Sequence, residues 1–407
     1  MAKFVVNGGA RLSGKCRISG SKNASLPVIF ASLIARGTSE IDNLPDIGDV
    51  RVALEIIKRY GASISKKGNT TYINTEKLRY TEPDAELVCK IRASTYLLGA
   101  SAVRFGRARL SPFGGCAFSP RPIDMHLDAL LSHGAVLSDN GDITVKRLVP
   151  SVISFKKRSV GASVNALILA AGASGESVIE GCALEPHILT LIEFLRSMGA
   201  DISLEGDTAR VRGGELHGGK VRIGPDMIEA GSYLALSLLT GGGITVIGAE
   251  ESELSSFLEP LLESGAEISR DVGIRLCSRP RKPVRIVTGP YPEFPTDLQP
   301  IIAPVLALSG GSIRDTVWEG RFGYLSELSR LGISSRIVRG VAEIFPSELK
   351  SGNATAPDLR GGMALLMSAL SAEGQSVIDG AEVILRGYDD PVGKLGQLGA
   401  EIEYVDN

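Results

Sequence analysis

Three basic side chains stand where long apolar segments begin: Lys22, Arg92 and Arg360. A helix N-terminus already carries free N–H groups and partial positive charge, so a cation there costs some stability unless an anion binds nearby. We interpret these positions as parts of a site for an anionic ligand. Asp297 begins another such segment, where a carboxylate on its own would complement the helix dipole.

A thiol and further arginines follow short β-like runs. Cys116, Arg321 and Arg386 lie ten to twelve residues after a recurring glycine, and Arg121 lies just beyond Cys116. The thiol stands in the segment SPFGGCAFSPRP, directly after two glycines. A cysteine in a glycine-rich loop near an arginine is more exposed and more readily ionised than a buried one. Cys116 is therefore a candidate reactive thiol.

These positions correspond because one structural unit recurs six times along the chain. A Gly-Ala pair or a close variant ends an amphipathic stretch at steps of 65 to 73 residues. A glycine before a β-like run recurs at steps of 63 to 69 residues. Each unit contains an apolar helix, an amphipathic helix and short strands. The two sets of marker glycines are Gly61, Gly134, Gly199, Gly265, Gly332 and Gly399, and Gly37, Gly106, Gly175, Gly243, Gly311 and Gly374.

The first unit shows the expected order of elements. Residues 24–35 predict a buried helix, and Asp46 is expected to cap a second helix that ends before Gly61. Residues 62–65 and 70–74 predict a hairpin. Six fully apolar helices must be enclosed, so we predict two α/β domains of three units each, with helices inside and sheets outside. A solenoid of six units is the structural alternative.

Length and composition exclude several classes of protein. A chain of 407 residues exceeds one ordinary core, and a net charge of −2 offers no basic surface for nucleic acid. Apolar runs of signal-peptide or membrane-span length are absent, and five widely spaced cysteines fit reduced thiols. We expect a cytoplasmic protein without a membrane partner. The four histidines are scattered and no Cys-x-x-Cys occurs, so neither a metal nor a cofactor is implied.

Eight ordered segments together carry a specific likeness: SGSKNASLP (19–27), KIRASTYLLG (90–99), GGCAFSPRPIDMH (114–126), RSVGAS (158–163), FPTDLQ (294–299), TVWEGRF (316–322), DLRGG (358–362) and LRGYD (385–389). They resemble the UDP-N-acetylglucosamine 1-carboxyvinyltransferases, or UDP-GlcNAc enolpyruvyl transferases, within the EPSP synthase/enolpyruvyl transferase family. The likeness covers nearly the whole chain. It implies an α/β fold, a two-domain inside-out α/β barrel of six βαβαββ-like repeats with pseudo-threefold symmetry in each domain. Domain I would be 1–21 and 230–407, and domain II would be 22–229.

The resemblance also implies a reaction. Members of the family transfer the enolpyruvyl group of phosphoenolpyruvate to the 3-hydroxyl of UDP-N-acetylglucosamine, release phosphate and so begin peptidoglycan synthesis. Cys116 would be the proton donor and the target of fosfomycin, Asp297 the base, and Lys22 and Arg386 further catalytic groups. The residues implied for phosphoenolpyruvate are Lys22, Asn23, Arg121, Arg321, Arg360 and Arg386. The residues implied for the sugar nucleotide are Arg92, Arg121, Pro122, Ile123, Asp124, Met125, Arg158, Ser159, Val160, Asp297 and Val317.

Four alternative functions can be compared with the sequence. A transferase acting on shikimate 3-phosphate would share the fold, but that relative does not use a cysteine in this loop. A paralogue could take a different nucleotide or sugar as its acceptor. A catalytically silent ligand-binding homologue would be expected to have lost Cys116, Asp297, Lys22 or Arg386, and all four are present. An interaction scaffold would not explain the charges at the helix starts. The oligomeric state is left open.

Overall fold

The computed structural model describes residues 2–114 and 122–406, in which helices alternate with short strands. The helices are α1 (Lys22–Ala31), α2 (Gly48–Arg59), α3 (Ala85–Val88), α4 (Leu97–Phe105), α5 (Asp124–Ser132), α6 (Val160–Gly172), α7 (Pro186–Ser197), α8 (Met227–Thr240), α9 (Ser255–Glu263), α10 (Gln299–Leu306), α11 (Tyr324–Arg330), α12 (Leu359–Ser371), α13 (Ala381–Ile384) and α14 (Pro391–Gln397). Short 3₁₀ turns cover Ser32–Ile34, Arg92–Tyr96 and Glu251–Leu254.

The strands are two to six residues long. In chain order they are β1 (Lys3–Gly8), β2 (Ser13–Arg17), β3 (Thr38–Asp42), β4 (Ser63–Lys67), β5 (Thr70–Asn74), β6 (Arg107–Arg109), β7 (Val136–Leu137), β8 (Asp142–Thr144), β9 (Val152–Ser154), β10 (Gly175–Glu180), β11 (Asp201–Glu205), β12 (Thr208–Gly213), β13 (Lys220–Arg222), β14 (Gly243–Ile247), β15 (Glu267–Ser269), β16 (Arg275–Ser278), β17 (Val284–Val287), β18 (Gly311–Arg314), β19 (Ser335–Val338), β20 (Val341–Ile344), β21 (Asn353–Thr355), β22 (Gly374–Asp379) and β23 (Glu401–Val405).

The described chain forms two compact units, each with its own hydrophobic core. The central unit comprises residues 20–114 and 122–224, and the terminal unit comprises residues 2–19 and 225–406. Two separate cores rule out the solenoid alternative, in which a single core would run through all six repeats. Among the described residues, no helix combines the length and the apolar character that crossing a bilayer requires.

The central unit encloses the apolar helices α1, α4 and α6. Nearly every residue of α6 is buried, because alanine, leucine and isoleucine occur on all of its sides. The amphipathic helices α2, α5 and α7 pack against these helices, and the sheets complete the enclosure. The strand orders are β13-β3-β5-β4, β9-β10-β12-β11 and β6-β8-β7, and the first strand of each four-stranded sheet pairs parallel with its neighbour.

The terminal unit repeats this plan around α8, α10 and α12, which pack against one another. Its four-stranded sheets have the orders β17-β18-β20-β19 and β21-β22-β1-β23. Parallel pairing joins β2 to β14, and β15 pairs with β16. Within each unit the predicted arrangement of helices inside and sheets outside is confirmed. One local prediction is wrong: α2 begins after Ile47 without a side-chain cap, because the Asp46 carboxylate accepts a hydrogen bond from Arg51 instead.

The N-terminal strand β1 supplies the strand that the last repeat lacks. It pairs antiparallel with both β22 and β23, as β12 pairs with β10 and β11 in the central unit. Gly8 ends β1 against the last turn of α12, where an added Cβ would lie 2.1 Å from the Ala369 oxygen and 2.3 Å from the Ala372 oxygen. Gly213 ends β12 with the same close approach to α6, 2.1 Å from the Ala173 oxygen. Only glycine fits this contact.

We predict that Gly8→Ala destabilises the chain by about 1–3 kcal/mol or more, because the new methyl group meets two backbone oxygens that cannot move independently. The matched control is Gly396→Ala in α14, where nothing lies within 4 Å of the added carbon. That substitution should stabilise by about 0.5–1 kcal/mol, since alanine favours the helix. Urea denaturation followed by circular dichroism measures both changes. Equal effects of the two substitutions would contradict the close contact.

Candidate active site

The predicted site residues lie at the helix starts and loops that the repeat indicated. Lys22 is the first residue of α1, Arg360 is the second residue of α12, and Arg92 begins the turn that leads into α4. Asp297 lies two residues before α10, and the Ser159 side chain caps α6. Cys116 and Arg121 lie outside the described residues, so the structure gives no position for either.

In the terminal unit, Asp297 lies between two buried arginines. Its Oδ1 accepts a hydrogen bond of 3.0 Å from the Arg321 Nη1, and its Oδ2 lies 3.4 Å from both the Nε and the Nη2 of Arg360. The exposed fraction is 3% for Arg321 and 1% for Arg360, whereas the Asp297 side chain is 26% exposed. Two guanidinium groups thus contact one partly exposed carboxylate, and guanidinium groups are well suited to binding the carboxylate of a ligand.

The Arg360 guanidinium is held by its surroundings and incompletely hydrogen-bonded. Its carbon lies 5.3 Å from the centre of the Tyr388 ring, and the Tyr388 hydroxyl is 2.8 Å from the Ser232 hydroxyl on α8. The Nη1 of Arg360 is buried and has no hydrogen-bond partner among the described residues. A buried guanidinium N–H without an acceptor is costly, so this nitrogen is a candidate contact for a ligand carboxylate.

Two other predicted residues of the terminal unit lie on segments attached to this cluster. Arg386 is half-buried in the turn after α13, two residues before Tyr388. Val317 is 38% exposed, and its N–H donates to the Asp315 carboxylate at 2.9 Å. The sequence had not singled out Tyr388 or Asp315. A buried tyrosine beside an arginine has no pattern of its own in a sequence.

In the central unit, Lys22 forms an ion pair with a carboxylate that the sequence analysis had not predicted. The Lys22 Nζ lies 3.4 Å from the Asp49 Oδ2, and both side chains are mostly buried. Asp49 lies in the first turn of α2. Asn23, the next residue of α1, is half-buried. The pair orients the lysine and limits its freedom before any ligand arrives.

Arg92 lies beside a buried histidine network. The Arg92 Nη2 donates to the Pro122 carbonyl at 3.3 Å. The His126 Nδ1 lies 2.7 Å from the Asn165 Nδ2, so the histidine ring accepts from the amide. Asn165 also donates to the Thr95 carbonyl at 3.1 Å and accepts from the Gly99 N–H at 2.8 Å. Burial, with a smaller contribution from Arg92, lowers the pKa of His126 to about 4.

The remaining predicted residues of the central unit are distributed along two segments. Arg158 pairs with Asp207 in the turn between β11 and β12, at 2.9 Å from Nη2 to Oδ2. Ser159 and Val160 begin α6 and are half-buried. On the other segment, Pro122 and Asp124 are exposed, and Ile123 and Met125 are half-buried.

A second buried ion pair in the terminal unit involves Glu229, in the first turn of α8, to which the sequence analysis assigned no function. The Lys394 Nζ donates to the Glu229 Oε1 at 2.5 Å and to the Ser19 Oγ at 2.6 Å. The Ser19 N–H donates to the Glu229 Oε2 at 2.8 Å. This contact ties α8 to α14 and to the end of the N-terminal segment. Among the described residues, no group of three or more histidine, cysteine, aspartate or glutamate side chains could hold a metal ion.

Asp297 and its two arginines are the kinds of group that an acid–base reaction on an anionic substrate requires. Asp297 is exposed enough to accept a proton, and the two arginines beside it would stabilise negative charge on a substrate. In the terminal unit, this arrangement suits binding of a small compound with carboxylate or phosphate groups beside a carboxylate that can act as a base. In the central unit, Lys22 offers a cation at a helix start.

Comparison with known proteins gives full-length matches. The sequence profile described as EPSP synthase (3-phosphoshikimate 1-carboxyvinyltransferase) matches residues 6–395. The UDP-N-acetylglucosamine 1-carboxyvinyltransferase of Halothermothrix orenii is 39% identical, with 100% of both chains covered. UDP-N-acetylglucosamine 1-carboxyvinyltransferase 3 of Caldanaerobacter subterraneus is 40% identical, with 99% of both covered. The enolpyruvyl transferase NikO from Streptomyces tendae matches in structure with a TM-score of 0.86, 28% identity and 99% of both chains covered. The predicted fold is confirmed by this likeness.

We predict that His126 makes stability depend on pH. Because the folded chain holds the pKa at about 4 instead of the ordinary 6.5, the unfolded chain binds the proton first as the pH falls. The contribution of neutral His126 is present above pH 6.5 and is lost as the pH falls towards 4. The free energy of unfolding should decline by up to about 1.4 kcal/mol per pH unit in this window.

Urea denaturation of wild type and His126→Asn between these pH values measures this loss. The wild-type slope should exceed that of His126→Asn, because carboxylates contribute equally to both proteins. The matched control His217→Asn replaces an exposed histidine and should keep the wild-type slope. If His126→Asn has the same slope as wild type, the neutral buried histidine is not the cause.

Proposed function

The chain belongs to the EPSP synthase family of enolpyruvyl transferases, and from this premise we propose that it transfers the enolpyruvyl group of phosphoenolpyruvate to the 3-hydroxyl of UDP-N-acetylglucosamine. Phosphate is the second product, and the reaction is the first committed step of peptidoglycan synthesis. Relatives of 39% and 40% identity that match over the full length carry the name of this activity. That support extends to the acceptor, which the fold alone would not specify.

The observation that carries the chemical part of the proposal is the Asp297 carboxylate between two buried arginines. A transfer to a hydroxyl needs a base, and Asp297 is the carboxylate of this cluster that reaches the surface. Phosphoenolpyruvate needs cations for its carboxylate, and Arg321 and Arg360 can bind it through paired N–H groups. The unpartnered Nη1 of Arg360 is available for that contact.

The proposed reaction is an addition followed by an elimination. Asp297 accepts the proton of the sugar hydroxyl as its oxygen bonds to C2 of phosphoenolpyruvate. Cys116 donates a proton to the methylene carbon, which becomes a methyl group. The methyl group of the tetrahedral intermediate then returns a proton to the Cys116 thiolate and the C=C bond re-forms. Phosphate leaves with the electrons of its C–O bond and takes the proton held by Asp297, so both side chains recover their starting state. Atoms and charge balance without a cofactor or a metal.

We propose binding roles from the family resemblance. Lys22, Arg121 and Arg386 bind the phosphate, Arg321 and Arg360 bind the carboxylate, and Asn23 is also assigned to phosphoenolpyruvate. Apart from Asn23, the residues of this set that the structure describes are all cationic, and Lys22 stands at the start of α1. The residues proposed for UDP-N-acetylglucosamine are Arg92, Arg121, Pro122, Ile123, Asp124, Met125, Arg158, Ser159, Val160, Asp297 and Val317.

Further proposals follow from this function. The enzyme would act in the cytoplasm and serve cell-wall formation, cell shape and cell division. Free thiols at Cys16, Cys89, Cys182 and Cys277 fit a reducing compartment. We also propose the domain division 1–21 with 230–407 and 22–229, for which the two compact units offer support.

We predict phosphate release from phosphoenolpyruvate when UDP-N-acetylglucosamine is added, and no release with shikimate 3-phosphate. Cys116→Ala should lower the rate by about 100-fold or more, because the methylene carbon loses its proton donor. Fosfomycin should inactivate the wild type progressively and leave Cys116→Ala unmodified. The matched control Cys89→Ala removes an exposed thiol and should change neither result. A colorimetric phosphate assay and the intact mass measure both.

Other outcomes would redirect the proposal. Release with shikimate 3-phosphate alone would identify the other acceptor of the family. Release with neither acceptor would contradict the proposed function and favour a paralogue with a different nucleotide or sugar, or a silent homologue. Unimpaired release by Cys116→Ala would remove the thiol from the reaction while leaving the transfer itself in place.

We predict that Asp297→Asn and Arg360→Lys separate catalysis from binding. Asp297→Asn should reduce kcat by about 100- to 10,000-fold, because the hydroxyl loses its base. Arg360→Lys should chiefly raise the KM for phosphoenolpyruvate, since lysine cannot form the paired contact. Asp46→Asn, which removes an exposed carboxylate beside Arg51, is the control. Steady-state kinetics test the assignment, and a larger kcat loss in Arg360→Lys than in Asp297→Asn would contradict it.

A further inference from the structure

Asp315 is a buried carboxylate at the end of β18 that accepts only from neutral donors in the contacts described. Its exposed fraction is 4%. The Oδ1 accepts from the Thr288 hydroxyl at 2.8 Å and from the N–H groups of Val317 and Trp318 at 2.9 Å each. The Oδ2 accepts from the Thr296 hydroxyl at 2.7 Å. Four hydrogen bonds thus join this carboxylate to three separate segments of the terminal unit.

The carboxylate fixes the direction of the threonine hydroxyl bonds. The Thr296 hydroxyl donates its single proton to the Asp315 Oδ2, because a carboxylate oxygen accepts hydrogen bonds. The lone pairs of that hydroxyl are then free to accept from the Arg321 Nη1, which lies 3.1 Å away. Thr288 is oriented in the same way and accepts from the Thr316 N–H at 3.1 Å. Each threonine therefore extends the influence of Asp315 by one hydrogen bond.

The Thr296 branch ends at the proposed base. The Arg321 Nη1 donates to the Thr296 carbonyl at 2.9 Å, to the Thr296 hydroxyl at 3.1 Å and to the Asp297 Oδ1 at 3.0 Å. The Arg321 carbonyl accepts from the Gln299 side chain at 3.2 Å. The guanidinium group is consequently fixed in one orientation, and Asp297 with it.

The other branch ends at the backbone of a segment proposed to contact the sugar nucleotide. Asp315 accepts from two consecutive N–H groups, which holds residues 315–318 in a tight turn. The Thr316 hydroxyl donates to the Thr288 carbonyl at 2.6 Å and closes the turn from the other side. Val317 is presented to solvent on this turn.

We propose that Asp315 is a positioning residue that sets the Arg321–Asp297 pair through Thr296 and the Val317–Trp318 turn through direct hydrogen bonds. The inference rests on the proposed function, because it assigns the two ends of this network to the base and to the sugar-nucleotide contact. Asp315 touches neither substrate. Its effect on catalysis is transmitted by the hydroxyl of Thr296.

The two branches can be separated by substitution. Asp315→Asn keeps an oxygen that can accept from the N–H groups of the turn, but its amide N–H now donates to the Thr296 hydroxyl. The proton of that hydroxyl must then turn away from residue 315 and towards Arg321, where it conflicts with the Arg321 N–H. Thr296→Val removes the same hydroxyl with little change of shape. Both variants should lose about 10- to 100-fold in kcat with little change in the KM for UDP-N-acetylglucosamine. The double variant should be no worse than the poorer single variant, because both interrupt one path.

Rescue and control variants exclude a general loss of stability. Thr296→Ser retains the hydroxyl and should recover most of the wild-type kcat. Thr240→Val removes another buried threonine hydroxyl, bonded only to the Leu236 carbonyl of its own helix in the contacts described, and should keep wild-type kinetics. Additive kcat losses in the double variant, or equal losses in Thr296→Ser and Thr296→Val, would overturn the proposed path.

The turn has a spectroscopic probe of its own, because Trp318 is the only tryptophan of the chain. Asp315→Ala releases both N–H groups and should shift the Trp318 emission, whereas Asp315→Asn should leave it as in wild type. Unchanged emission in Asp315→Ala would overturn the assignment to the turn. Should Asp315→Ala fail to fold, Thr288→Val tests the same turn, and its emission should also shift.

The two proposals fail in different ways. A wild type that releases no phosphate with UDP-N-acetylglucosamine refutes the proposed function, while Trp318 emission still tests whether Asp315 holds the turn. An active wild type whose kcat is unchanged by Asp315→Asn and Thr296→Val refutes the positioning role and leaves the function standing.

Discussion

A helix that is apolar on every side is stable only when other elements cover it, and this requirement shapes both units. α6 and α12 present buried residues around nearly their whole circumference. Charged groups therefore stand near the ends of these helices, whereas polar side chains within them, such as Asn165 of α6, are buried and hydrogen-bonded. The helix starts, with their free N–H groups and partial positive charge, are where Lys22, Ser159 and Arg360 lie. The constraint on packing thus decides where chemistry can occur.

Charge at those ends is stabilised by specific partners. Arg321 and Arg360 are almost fully buried, and a guanidinium out of water is costly without an acceptor. Asp297 offsets that cost in the terminal unit, as Asp49 does for Lys22 in the central unit. A substrate anion can also bind these cations. The carboxylates that stabilise the buried cations in the folded chain therefore also hold them in position for the proposed substrate. Asp315 and its threonines determine the orientation in which this happens.

Closure of the last sheet links the chain's N-terminal segment to its C-terminal repeat. β1 lies between β22 and β23, and the absence of a side chain at Gly8 lets it approach the end of α12. The neighbouring contact of Ser19, Glu229 and Lys394 joins residues that lie hundreds of positions apart. Such contacts make the discontinuous terminal unit one folded body with one core.

The repeat, the apolar helices and the class of side chain at each helix start could be predicted from the sequence, because periodicity and residue type are local properties. Resemblance supplied the family and the roles assigned to Asp297, Arg321 and Arg360. Their partners are apparent only in the folded chain: two arginines contact Asp297, Asp49 pairs with Lys22, and Asp315 accepts a hydrogen bond from Thr296. In the structure α2 begins after Ile47, so Asp46 does not cap this helix as predicted. These pairings depend on which residues from distant segments meet in space, and no local pattern encodes that.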